Sequence, residues 1–273
     1  MYVRYKYHIR GKISVIKFAR KYLANLVRRF LDGPACEVRT DIGHVFIIGS
    51  GHSGTTLLAS RLGKHGDFVL IGEETRVFFP KYGNIVPFRV LRSWNYFAAA
   101  MNKRFVIEKT PKHVHCVERI MAFIPRAKFI AIVRNPLDVV ASLYKRSGDF
   151  DSAVYRWLID NRAVLDAQDK NIKTVRFEDL TERPEEILKE CVRYIGCSWD
   201  DRIMQDGASA YDVIPQAGNM SVRRAQVSMP ISRNVGKWRD NLSADQVRCV
   251  ISKCDSTAKL LGYDIRAIVA SDS

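Results

Sequence analysis

The run His44-Val-Phe-Ile-Ile-Gly-Ser-Gly-His-Ser-Gly-Thr-Thr-Leu57 constrains this chain more than any other: an apolar strand feeds a glycine-rich turn that opens directly into a helix. Glycines at 49, 51 and 54 allow backbone N–H groups to converge without Cβ obstruction, and the positive helix end at Thr55 adds to their pull on an anion. Such a turn cradles phosphate. The plain alternative is a structural strand-to-helix turn. Against the nucleotide-triphosphatase loop, Gly49 and Gly54 keep the spacing, but Thr55 stands where the phosphate-binding lysine belongs. Transfer of a γ-phosphoryl group relies on that lysine and on magnesium, and neither provision is legible. A sulfuryl group carries less charge, so its transfer can run on protein cations and helix-end N–H groups alone.

Beyond the loop, short apolar segments alternate with longer helical ones, the pattern of an α/β fold with a mostly parallel sheet. Strands are expected at Val45–Ile48, Phe68–Ile71, Phe105–Ile107, Phe129–Val133 and Thr174–Phe177. Helices are expected at Thr56–Leu62, Val114–Phe123, Leu137–Tyr144, Ala153–Ala167, Pro184–Tyr194 and Ala244–Leu261. Ligands of such sheets bind at the carboxyl ends of strands. Chemistry is therefore sought in 49–56, 72–76, 108–112, 134–138 and 178–179.

The 273 residues suffice for one substantial core, here 44–265, preceded by a basic segment, 1–33. Between Met1 and Leu31 lie nine lysines or arginines and no acid, with Ile16, Leu23, Leu26, Val27 and Phe30 at helical spacing. A basic amphipathic helix suits an anionic membrane surface; a helix packed on the domain with a solvated basic face is the equal alternative. Its apolar run is too short for a membrane span and no cleavage site follows, so neither anchor nor signal peptide is expected. The net charge of +15 favours anionic partners. Nucleic acid is not expected among them, because no zinc-finger spacing or RNA-binding aromatic signature accompanies the charge. Six scattered cysteines without Cys-x-x-Cys read as reduced thiols of a cytoplasmic protein. His113 and His115 lack companions at ligand spacing, so a solvated or supporting role is expected and no metal is.

Together, the strand-end segments resemble the sulfotransferases that use 3′-phosphoadenosine 5′-phosphosulfate (PAPS), over about His44 to Tyr263. The resemblance implies a P-loop-type three-layer domain with a mostly parallel central sheet flanked by helices. Gly51-His-Ser-Gly-Thr-Thr-Leu57 is similar to the family's 5′-phosphosulfate loop, which assigns Gly51, Ser53, Gly54, Thr55 and Thr56 to the donor. Phe129 to Ser142 is similar to its 3′-phosphate segment, with Arg134 at the strand end and Ser142 in the next helix as the gripping pair. A guanidinium fork and a hydroxyl can converge on one phosphate. Gly72-Glu-Glu-Thr-Arg-Val77 brings the chain nearer to the tyrosylprotein sulfotransferases and their bacterial relatives. That implies Glu74 as general base, with Glu73 in reserve, and Arg76 as an acceptor-positioning group. The other reading of these two carboxylates is an acid pair at a helix start.

By the same resemblance Lys109 neutralises the donor's bridging oxygen, and Lys237, in Asn234-Val-Gly-Lys-Trp-Arg239, touches phosphate. His52 occupies the position where the family loop often carries an arginine, so it joins Glu74 and Lys109 as a candidate catalytic residue whose charge is lost across physiological pH. The implied reaction is sulfuryl transfer from PAPS to a hydroxyl. A saccharide or glycolipid at the inner membrane face is the first acceptor class and peptide tyrosine the second. A P-loop small-molecule kinase is the enzyme alternative, and a nucleotide-responsive membrane adaptor the non-enzymatic one.

Overall fold

The computed structural model describes residues 41–72, 74–168, 170–206, 231 and 235–270. The basic segment 1–33 and Glu73 therefore lie outside the described residues. Five strands, β1 (Gly43–Gly49), β2 (Phe68–Ile71), β3 (Phe105–Lys109), β4 (Lys128–Val133) and β5 (Ile172–Arg176), form one parallel sheet in the order β2-β3-β1-β4-β5. The register aligns the ends that matter: Ile47 faces Lys109, Gly49 faces Ile132, and Ile71 faces Glu108.

Parallel strands bury both faces, which explains their unbroken apolar runs. Along β1, Val45 and Ile47 pack with Leu58, Leu62, Leu188 and Val192 on one face. Phe46 and Ile48 pack with Leu137, Val140, Trp157 and Val250 on the other. The result is the expected three-layer arrangement. On the first face lie α1 (Thr55–Leu62) and, after α2 (Ile85–Ala100), α3 (Val117–Phe123), α4 (Pro136–Ser147), α5 (Phe150–Asp166) and α6 (Phe177–Glu182), the helix α7 (Pro184–Ile195). The second face carries α4, α5 and α8 (Ala244–Leu260); a short α9 (Ile265–Ala270) follows.

Three expectations change. Strand β5 stops at Arg176, and Phe177 starts a helix whose first turn carries Glu178 and Asp179, acids that suit a helix N-terminus. The helix expected from Val114 begins as a 3-10 segment, Pro111–Cys116, and becomes α-helical only at Val117. Helix α2 was not expected at all: Pro87 interrupts its sequence near the start, where proline is tolerated, and its partly buried flanks blur the amphipathic period. No helix among the described residues is long and apolar enough to cross a membrane.

Candidate active site

The glycine loop is built by contacts that leave no room for side chains. A Cβ on Gly49, at φ +133°, would stand 2.4 Å from the Ile132 carbonyl oxygen. One on Gly54, at φ +93°, would strike the Phe177 ring at the same distance. Gly54 is the left-handed N-cap of α1, whose first turn holds no acid, so the amides of Thr55, Thr56 and Leu57 have no intrahelical acceptor. The buried Ser53 hydroxyl has no hydrogen-bond partner among the described residues. Those donors, with the positive helix end, fit a phosphate or sulfate group.

His52 takes φ +71°, unusual for a residue with a side chain, and turns its ring toward α4. Its Nδ1 lies 2.7 Å from the Ser142 hydroxyl, while its carbonyl accepts a bond of 3.4 Å from Arg134. Both members of the expected 3′-phosphate pair thus meet at His52. Burial, reinforced by the charges of Arg146, Arg156 and Arg134, lowers the His52 pKa to about 4. This corrects the expectation of a histidine that titrates across physiological pH: the ring is neutral there, and the positive charge around the loop is supplied by the three arginines. Arg156 lies so close that its guanidinium would stand 2.8 Å from a Cβ on Gly51.

At the ends of β2 and β3, Lys109, only 1 % exposed, donates to Glu74 at 2.9 Å. Arg76 approaches the other Glu74 oxygen at 3.7 Å with its side chain largely in solvent. The pair is held from below. Glu108, buried, accepts from the Thr75 amide and hydroxyl, the Thr110 hydroxyl and His113 Nδ1. Because Thr75 adjoins Glu74 and Thr110 adjoins Lys109, this network fixes the two chain ends against each other. His113 is fully buried in it, so a solvated His113 is ruled out and a supporting role describes it.

Two further carboxylates were given no role in the sequence reading, Asp160 and, although it closes the segment 134–138, Asp138. Asp160 in α5, completely buried, accepts from Lys112 and His115 at 2.7 Å each and lies 3.9 Å from Arg156. It gathers these donors, with Arg156 beside the loop. A signal was available: positions 153, 154, 157, 160, 161 and 164 form the buried stripe of α5, and an acid on such a stripe needs a partner. Asp138 at the start of α4 accepts from Asn135 and from the backbone amides of Gly236 and Trp238, with Arg134 at 3.4 Å. It thereby fixes the segment that carries Lys237, which is exposed. Arg134 also stacks over Phe177, 4.3 Å from the ring centre.

Converging imidazole, carboxylate and thiol atoms occur elsewhere: His65, Asp67 and Cys197 bring ligand atoms within 4.8 Å of one another near the start of β2. His65 Nδ1 already accepts the Asp67 amide there, and its Nε2 faces the Ser198 carbonyl. Cysteines 116, 191, 197, 249 and 254 are free thiols.

A parallel sheet whose central strand ends in a glycine loop, with cations gathered at neighbouring strand ends, defines a P-loop-type α/β protein that handles anionic groups. The sulfotransferase family model matches residues 90–201. The chain is 26 % identical over 278 residues to protein-tyrosine sulfotransferase 1 of Danio rerio, covering 83 % of this chain and 74 % of that one. It is 27 % identical to an uncharacterized Aquifex aeolicus protein over 71 % of this chain, but spans only 30 % of that protein's length. A mouse sulfotransferase, SULT7A1, solved with PAP, shares the fold at a TM-score of 0.52 and 18 % identity, over 81 % of this chain and 89 % of that one. In sequence and in fold, the chain is similar to sulfotransferases.

Proposed function

We propose that the chain transfers a sulfuryl group from PAPS to a hydroxyl on a saccharide or glycolipid. The observation that carries this reading is the Glu74–Lys109 pair, an acid and a cation at 2.9 Å on adjacent strand ends in the same row as the glycine loop. The PAP bound to the mouse neighbour supports the donor. Gly51, Ser53, Gly54, Thr55 and Thr56 hold the 5′-phosphosulfate, Arg134 and Ser142 the 3′-phosphate, and Lys237 closes over the nucleotide.

Glu74 takes the proton of the acceptor hydroxyl as its oxygen attacks sulfur in line. The bond from sulfur to the bridging oxygen breaks, and Lys109 neutralises the charge left on that oxygen. The products are a sulfate ester and PAP. His52, neutral, orients Ser142, while Arg156 and Arg146 provide the field that a loop arginine would supply. Arg76, mostly exposed beside Glu74, is placed to meet the acceptor. Thr55 and Arg134, in place of a lysine and a magnesium-binding acid, speak against phosphoryl transfer.

Peptide tyrosine is the second acceptor, favoured by the likeness to the zebrafish protein-tyrosine sulfotransferase. Incubation with sulfur-labelled PAPS and separate glycolipid, saccharide and peptide fractions tests the choice. Label in glycolipid or saccharide is expected; label confined to peptide tyrosine overturns the acceptor, and no transfer to any hydroxyl overturns the function.

A further inference from the structure

Helix α2 has two unlike faces. Pro87, Leu91, Trp94 and Ala98 are buried in the domain. On the opposite side, Ile85, Phe88, Arg89 and Arg92 share one stripe at i, i+3, i+4 and i+7. Ile85 is 68 % exposed, Phe88 57 % and neighbouring Val86 40 %, the highest concentration of large exposed apolar side chains among the described residues. A groove beside them, lined by Ile85, Phe88, Arg89, Arg92 and Phe123, runs toward Asn84. Lys81 extends the cationic rim, and no acidic residue occurs from Val77 to Ile107.

We infer that this face docks on an anionic phospholipid surface. Apolar side chains flanked by arginine and lysine, in a stretch of sequence without acids, match the division of a membrane interface: acyl chains take the former and headgroup phosphates the latter. Charge complementarity selects this occupant. A second copy would set Lys81, Arg89 and Arg92 against their own counterparts in a chain already at +15. The segment also follows Glu74 and Arg76 directly, so docking brings the reacting end of the sheet near the headgroups. The inference does not depend on the donor or acceptor, because the surface is read without either.

The test is hydrogen exchange and co-sedimentation of the full chain with vesicles of phosphatidylcholine, alone or containing phosphatidylglycerol. Protection of 83–92 is expected only with the anionic vesicles. Each basic residue at such a surface contributes about fivefold in partitioning, so Arg89→Gln with Arg92→Gln should weaken binding about 25-fold at low salt. Ile85→Ser with Phe88→Ser should weaken it tenfold or more at any salt. Binding of PAP, measured by calorimetry, should be unchanged in both variants and reports that they are folded. Vesicle binding by the basic segment 1–33 is separable, since it protects other peptides. No protection of 83–92, or unchanged partitioning of both variants, overturns the inference. So does protection that rises with protein concentration without lipid, which would make the face a contact between copies.

Discussion

Substituting Glu74 by Gln separates the catalytic from the structural meaning of its pair with Lys109. The ammonium is 1 % exposed and its partner 24 %, so the variant leaves a charge buried with an amide oxygen in place of a carboxylate. A hydrogen bond to a charged partner is worth roughly 1.5–3 kcal/mol and a neutral one about 1, so the exchange costs about 1–2 kcal/mol. For a chain of this size that lowers Tm by roughly 2–8 °C. The catalytic loss is larger, about 10²–10⁴ in kcat, the usual contribution of a general base, with PAP affinity near that of the parent. Adding Lys109→Met removes the buried ammonium as well. The double variant should therefore melt above Glu74→Gln while staying inactive, because stability and turnover draw on the pair in opposite ways. Scanning calorimetry and initial rates of sulfuryl transfer read the two effects. A Glu74→Gln enzyme within tenfold of the parent rate, or one no less active than Glu73→Gln, would refute the assignment of the base.

Arg134→Ala should weaken binding of adenosine 3′,5′-bisphosphate by about tenfold to a hundredfold and leave 5′-AMP nearly unchanged; calorimetry that shows equal losses would mean that Arg134, stacked on Phe177, is only structural. Turnover should persist in EDTA, whereas abolition by chelation and rescue by magnesium would favour phosphoryl transfer. Burial lowers the His44 pKa from 6.5 to about 4, so between those values the unfolded chain binds more protons than the folded one. The contribution of His44 is then full above pH 6.5 and falls by about 3 kcal/mol as pH drops to 4, and His52, with its pKa also lowered to about 4, adds a loss in the same direction. Urea unfolding across that range should show the slope, and His44→Asn should remove its share and leave that of His52; parallel curves would contradict the cause.

What sequence conveys about this fold is what local chemistry dictates. The strands are buried on both faces, so their apolar runs stand out, and the segments after them fall where the register puts Glu108, Lys109 and the glycine loop in one row. Glu74 and Lys109, 35 positions apart, were legible because each lies at or just beyond the end of a strand. Arg156 and Asp160 were not, since they sit within a helix and reach the site only through packing. His52 shows a different limit. Its residue type was plain, but its protonation depends on burial and on arginines contributed by two helices, α4 and α5. Helix α2 was hidden because exposed apolar residues mask the period by which buried ones are recognised.

Asp138 holds the Lys237 segment by two backbone amides, those of Gly236 and Trp238. The segment's position is thus written in main chain, with glycine demanded at Gly236 by a φ of +88°, Trp238 buried, Val235 packed against the core and Arg239 stacked on Trp238, while the Lys237 side chain is exposed. Natural variation or laboratory selection can exchange Lys237 and so retune grip and release of the nucleotide while the strap itself stays in place. Evolvability here rests on one carboxylate that recognises no side chain of the segment it secures.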